Sequence, residues 1–418
     1  MGKKIVARML PALLLIPTLL LALEIQPVRS ATTWTVDDDG PADFSSIQEA
    51  INSPQVAEGD TVYVYNGTYY EDAVVNKTVS LVGEDGKCII DGLRKGHTVA
   101  IEADNVILTG FIITNSSLIH TPFEGPYSGL YVTSDNCSID RNNVTNNYYG
   151  IWPCNSSNNI LSENTIANNY VGVRLDSSSH NSLTGNTIAY NDFGGLNLSR
   201  SSTNTIYHNN FIDVGQQVYT HFSASVWDDG YPSGGNYWSD HIAVDNNSGV
   251  GQDESGSDGI GDTPYEIDVN NTDHFPLMEP ISSFDAGTWN DITYYVDTVS
   301  NSNVWDFHFN ESEKLISFNV SGPEGTTGFC RVTIPKALLG GPYVVLINDS
   351  PPITITEQSN GTHTVLYFTY GHSTQPVEII GTTAIPEFPT WIAILFLLIV
   401  ASVTLVIHKQ RLPRTSVH

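Results

Sequence analysis

The chain has 418 residues, with 45 acidic against 17 basic side chains and a formal net charge of −28. Seven of the basic residues (Lys3, Lys4, Arg8, Arg29, Lys409, Arg411 and Arg414) and only Glu24 and Glu387 lie near the ends, leaving 10 basic against 43 acidic residues between, near −33. Such a surface excludes nucleic acid as a partner and suits a solvated exterior or divalent cations.

Lys3, Lys4 and Arg8 precede an apolar run from Met9 to Leu23, and Val28 to Ala31 supply small residues for cleavage, so residues 1–30 read as a secretory signal peptide. About a dozen N-x-S/T sequons, among them Asn66-Gly67-Thr68, Asn143-Val144-Thr145 and Asn360-Gly361-Thr362, suit an exported glycoprotein. Phe44 to Ile51 places apolar residues at helical spacing and predicts a short amphipathic helix that caps the strands after it. Thr61 to Tyr69 and Val79 to Gly83 predict the first of those strands.

A repeat of about 22 residues then aligns Arg141-Asn142-Asn143-Val144, Glu163-Asn164-Thr165-Ile166, Gly185-Asn186-Thr187-Ile188 and His208-Asn209-Asn210-Phe211. The same frame aligns Gly129, Gly150, Gly172 and Gly195. A period this short, with apolar and polar residues alternating, predicts an all-β right-handed parallel β-helix over residues 31–280. Coils stacked at about 4.8 Å bury Ile139, Leu161, Leu183 and Ile206 as one ladder, and Val144, Ile166, Ile188 and Phe211 as another. Asn142, Asn164, Asn186 and Asn209 read as an amide ladder at a turn, with left-handed backbone at the asparagines. Residues around Leu118 to Pro126 form an inserted loop. Cys137 and Cys154 fall on neighbouring coils; one bridge there and free buried thiols fit the spacing equally.

Residues 281–383 change texture. Leu315 to Val320, Cys330 to Ile334, Tyr343 to Ile347 and Thr364 to Phe368 read as strands between Gly, Pro and Asn turns, a small antiparallel β-sandwich-like domain. After a linker over residues 384–390, Trp391 to Ile407 is an apolar run of roughly 17 residues, the short limit for a transmembrane helix, and the basic residues beyond it place the tail in the cytoplasm. A single-pass, cell-surface protein with its ectodomain outside is expected.

Gly235-Asn236-Tyr237-Trp238-Ser239-Asp240, followed by Asp258-Gly259-Ile260-Gly261-Asp262-Thr263-Pro264-Tyr265, resembles the closing coils of NosD-like β-helix proteins, and the Asn-rich coils are shared with pectin-lyase-like solenoids. The resemblance covers roughly residues 32–280 and implies the fold strongly. Ile385-Pro386-Glu387-Phe388-Pro389 resembles archaeal PEF-type sorting signals, implying an archaeal surface protein. Copper, which the NosD namesake handles, needs clustered soft ligands; Met278 is the ectodomain's only methionine, and His97, His120, His221 and His241 are scattered.

Two candidate sites remain. Asp253, Asp258 and Asp262, with Asp240 and Asp245 nearby, offer hard oxygens on a Gly- and Ser-rich loop: calcium, or an Asx-turn loop holding the cap shut without metal. With Leu130, Ile151, Val173 and Leu196 inward, Tyr131, Trp152, Arg174 and Asn197 align outward on successive coils as a platform for a polysaccharide. A catalytic acid and base pair does not emerge, since Asp140-Arg141 with Glu163 reads as an ion pair between Arg141 and Glu163. Three classes stay open: a glycan-binding or adhesive surface protein, a polysaccharide lyase or hydrolase, and a purely structural envelope component.

Overall fold

The computed structural model describes residues 30–84, 86–119, 126–213, 215–290 and 292–385. The expected signal peptide, the Trp391 to Ile407 segment and the basic tail lie outside the described residues. No helix among the described residues is long and apolar enough to cross a membrane.

Three parallel sheets of eight, eight and seven strands run along one solenoid, each coil giving one short strand to each sheet. The architecture is that of the right-handed parallel β-helix type, with about 7 turns. Register follows the repeat: Ile139 pairs with Leu161, Leu161 with Leu183, and Leu183 with Ile206. Val144, Ile166, Ile188 and Phe211 do the same in the second sheet. All eight side chains are fully buried, and each contributes about 2 kcal/mol by leaving water. Gly150 marks where the third sheet enters the coil; a Cβ there would sit 2.4 Å from the Gly172 carbonyl oxygen.

The amide ladder is present and longer than expected. Asn142, through its backbone N–H and its Nδ2, donates to Asn164 Oδ1 at 3.0 and 3.1 Å, and the same double bond links Asn164 to Asn186, Asn186 to Asn209, and Asn209 to Asn236. Asn is suited because one amide offers an acceptor to the coil before and donors to the coil after. The left-handed residues are not these asparagines but the ones preceding them, Arg141, Glu163, Gly185 and His208, with φ between 54° and 68°. Two further ladders, Asn147-Asn169-Asn191 and Asn159-Asn181-Asn204, stabilise the other turns.

The ends are plugged. Helix Ile47–Asn52, capped by Ser46, buries Ile47, Ala50 and Ile51, while the Glu71 carboxylate accepts the free N–H groups of Ile47 and Gln48 at 2.9 and 2.8 Å. At the other end Phe211, Trp238 and Tyr265 stack at 4.4 and 4.2 Å, so the Asn236-Tyr237-Trp238 motif closes the core with rings. Residues 281–290 and 292–385 form antiparallel sheets of five and four strands, with a further two-stranded pair of Leu339–Gly340 and Thr383–Ala384, around a second core that includes Phe318, Val332 and Phe368. Asn210 ties the two parts together, exchanging hydrogen bonds of 2.8 and 2.9 Å with the Ile281 backbone.

Candidate functional site

The third sheet contains the strands Ser128–Val132, Tyr149–Pro153, Val171–Asp176, Gly194–Ser199 and Val218–His221. Its register pairs Tyr131 with Trp152 and Arg174 with Asn197, and pairing of Ile151 with Val173 sets Trp152 beside Arg174. Because strand residues alternate between faces, burial of Leu130, Ile151, Val173 and Leu196 puts this column outside the core. The structure thus brings Tyr131, Trp152, Arg174 and Asn197 together, and Tyr219 extends the column beyond Asn197.

The column is half-buried rather than bare. The His97 ring stacks on Tyr131 at 4.3 Å, Tyr131 meets Trp152 at 5.0 Å, and Tyr149 meets Trp152 at 5.2 Å. The Arg174 guanidinium lies 5.3 Å over Tyr149 and 5.6 Å from Trp152, within cation–π range. It also donates to Tyr149 Oη at 2.9 Å and to Asp176 at 3.1 Å; Asp176 is shared with the exposed Arg200 at 3.0 Å. Burial works to raise the Asp176 carboxyl, but the two guanidiniums hold it below its ordinary range. Burial pushes His97 down to about 4, so it is neutral at pH 7, with Nδ1 accepting from the Ser128 N–H at 3.0 Å. Trp152 Nε1 and Arg174 Nε are buried donors with no hydrogen-bond acceptor among the described residues. His97 and Tyr149 are site members the sequence did not disclose. His97 lies where the 22-residue frame is broken, and Tyr149 is the residue before the inward glycine of its coil.

The five closing-loop aspartates do not share one shell. Asp245 accepts from the Asp258 and Gly259 N–H groups at 3.0 and 2.8 Å, and Asp258 accepts from the Ile260 N–H at 3.0 Å. Asp262 receives the Asn246 and Asn247 N–H groups, Asp240 the Tyr265 hydroxyl at 3.1 Å, and Asp253 is exposed. Burial pushes the Asp245 carboxyl up to about 7 and Asp258 in the same direction.

Arg141 pairs with Asp140 at 2.8 Å instead of with Glu163. The reason is backbone: Arg141 is in the left-handed region at φ 54°, outside the strand Ser138–Asp140, and so escapes strand alternation. Glu163 instead lines a cleft of about 280 Å³ between solenoid and sandwich, with His208, Tyr207, Tyr295 and Asp297. Burial, and the nearby carboxylates of Asp140, Asp297 and Asp285, raise Glu163 against the opposing pull of Arg141.

Residues 51–242 match the family model described as "Periplasmic copper-binding protein (NosD)". A cell surface glycoprotein of Methanothermus fervidus is 32% identical over 111 residues, covering 26% of this chain and 17% of that protein. Among solved structures, an alginate lyase from Paenibacillus sp. is 12% identical, covers 50% of this chain and 82% of its own, and has a TM-score of 0.32. The pectin methylesterase from Aspergillus niger is 17% identical over 47% of this chain and 79% of its own, with a TM-score of 0.33. Tailspike gp49 of Acinetobacter baumannii bacteriophage Fri1, a capsular polysaccharide depolymerase, is 10% identical over 86% of this chain and 85% of its own, also at 0.33.

Among the described residues the donors do not fit copper. The four cysteines are dispersed, Cys88 and Cys137 in the solenoid core, Cys154 half-buried on the third sheet, and Cys330 in the sandwich core. Among the described residues, the metal-type side chains gathered within 4.8 Å of one another are Asp37, Asp38 and Asp39, an all-oxygen group that copper does not favour.

Proposed function

On a NosD-like parallel β-helix that stands at a cell surface or outside the cell, we propose that the third sheet binds polysaccharide, as an adhesive or glycan-binding surface. The observation that carries the reading is the run of half-buried rings His97, Tyr131 and Trp152, backed by the buried Tyr149, with Arg174, Asp176 and Arg200 along its edge. Rings supply apolar contact to sugar C–H faces, while the guanidiniums, the carboxylate and the Asn197 amide supply hydroxyl partners. The proposal includes export by the N-terminal apolar segment and anchoring by Trp391 to Ile407, which keeps many copies on one surface so that weak single sites act together. Purified full chain on a glycan array should retain at least one polysaccharide, and Arg174→Ala should abolish retention in a protein that still gives a β-type circular dichroism spectrum. Equal retention by Arg174→Ala, or none by the wild type, would overturn the reading.

A second reading, hydrolysis, has one observation in its favour. The interdomain cleft holds two carboxyls, Glu163 and Asp297, and burial keeps Glu163 protonated to a higher pH than an ordinary glutamate, as an acid catalyst of glycoside cleavage requires. Release of reducing ends from a retained polysaccharide, lost in Glu163→Gln, would establish it. Retention without any release supports the binding reading.

A further inference from the structure

The outward rings do not stop at the third sheet. The turn leading into that sheet reads Asn146-Asn147-Tyr148 on one coil and Asn168-Asn169-Tyr170 on the next. In each, the first asparagine is left-handed, at φ 58° and 57°. The second turns its amide inward, Asn147 Nδ2 donating to Asn169 Oδ1 at 3.1 Å. The turn therefore presents the first amide and the tyrosine outward, and the coil repeat sets two such pairs about 4.8 Å apart. Tyr148 meets Tyr149 at 4.9 Å and Tyr170 at 4.8 Å, Tyr170 meets Phe193 at 5.3 Å, and Phe193 meets Tyr219 at 5.1 Å. Tyr148 and Tyr149 thus join the third-sheet rings to a second row on the turn.

Beside that row lies a cavity of about 400 Å³, lined by Arg94, Asn146, Asn168, Tyr148, Tyr170 and Asp192. The volume is within the range of small-ligand sites, about 300–1,000 Å³. Asn146, Asn168, Arg94 and Asp192 are exposed, and among the described residues Arg94 and Asp192 form no ion pair with each other. The wall thus offers amide donors and acceptors, one charge of each sign, and ring edges. That inventory matches a neutral, polyhydroxylated ring, and the acidity of the protein as a whole works against a polyanion. One coil rise is also close to the length of one sugar in an extended chain.

We propose that this turn cavity is a second subsite for the same ligand, and that the ligand is an extended, neutral hexose polymer spanning from Trp152 across the Tyr148–Tyr149 contact to Asp192. The inference rests on the third sheet being a glycan-binding surface, and its test separates the two. Affinities of the full chain are measured for β-1,4-linked mannan and glucan oligosaccharides from disaccharide to octasaccharide, with alginate fragments as the acidic comparison. The turn variant is Asn168→Gly with Asp192→Ala, since glycine accepts the left-handed backbone without strain. Wild type should gain affinity steeply once the oligosaccharide reaches both subsites. The turn variant should bind short fragments as wild type does and lose about tenfold or more on the longest, while Arg174→Ala weakens both and alginate is not retained. Unchanged binding of the longest fragments by the turn variant, with Arg174→Ala still defective, overturns the second subsite alone. Loss of short fragments in the turn variant overturns the two-subsite arrangement, and stronger binding of alginate overturns the neutral ligand. If neither variant differs from wild type, or no fragment binds, the third-sheet reading fails and this inference falls with it.

Discussion

The backbone N–H of Asn236 donates to the Asp273 carboxylate at 2.7 Å, so the amide ladder that begins at Asn142 ends on an acid. Trp238 Nε1 reaches the same oxygen at 2.9 Å and the Phe275 N–H the other at 3.1 Å. Asp273 is fully buried, and burial pushes its carboxyl up to about 7. Between pH 4 and 7 the folded chain therefore holds a proton that the unfolded chain releases, so stability falls as pH rises through that window and levels above it. The shift corresponds to a few kcal/mol, on the order of 1.4 per pKa unit. Asp245 adds to the slope with the same sign. Asp273→Asn keeps an acceptor for Asn236 and carries no charge. Its melting temperature should change less between pH 5 and pH 8 than that of the wild type, and an equal change would mean Asp273 is already ionised at pH 5.

Trp152 points outward, yet its indole is wedged among Tyr131, Tyr149 and Arg174 with Nε1 out of solvent. Trp152→Ala should accordingly cost both binding and stability, the latter about 2 kcal/mol, below the 3–5 of a fully buried large aromatic. Trp152→Phe should recover most of the stability. Urea denaturation of both variants is the check; an unaltered midpoint for Trp152→Ala would mean the ring cluster contributes nothing to the fold.

How far the sequence disclosed all this depends on whether residues sit in the repeat. Leu161 and Leu183 are one period apart and parallel pairing maps period onto column, so the core ladders and the column from Tyr131 to Asn197 were legible by counting. Asn147 and Asn159 repeat with the same period, and their ladders were there to be read. Asp273 was not legible as the ladder's end, because residues 239–270 interrupt the repeat between it and Asn236. Nor could Glu163 be seen to share a cleft with Asp297, which reaches it from the other domain. The expected pairing of Arg141 with Glu163 gives way to Asp140 for a local reason, since the repeat does not reveal that Arg141 and Glu163 are both held left-handed at the turn.

The closing loop is held by carboxylates that accept backbone N–H groups, with Asp245 and Asp258 interlocked. Calcium would have to displace those donors to gather Asp253, Asp258 and Asp262. Melting in millimolar calcium and in chelator is therefore expected to coincide, and Asp245→Ala to lower the melting temperature equally in both. Binding to the native state alone would raise stability by about 2.7 kcal/mol at a hundredfold excess over Kd. An increase of that order with calcium, lost in Asp258→Ala, would give the loop a metal.

Arg331, from the sandwich, is 2% exposed, and its guanidinium enters the closing loop of the solenoid. It donates to the Pro232 carbonyl and, at 3.2 Å, to that of Ser233. The carboxylates of Asp258 and Asp245 provide the opposing charge. Gly259 makes room for it, since a Cβ there would lie 2.8 Å from Arg331 Cδ. Truncating this buried side chain removes the donor to both carbonyls and leaves a cavity, which together cost about 2–5 kcal/mol. Arg331→Ala should reach that range, whereas Arg331→Met, which refills the volume, should cost less while still freeing the loop. Hydrogen exchange distinguishes a pin between the two parts from a merely local contact. Both variants should speed exchange of the Asp258, Gly259 and Ile260 amides, and leave the amides of the Asn164 and Asn186 coils protected. Faster exchange throughout the solenoid would instead make Arg331 part of its global stability, and no change at the loop would remove its role as the pin.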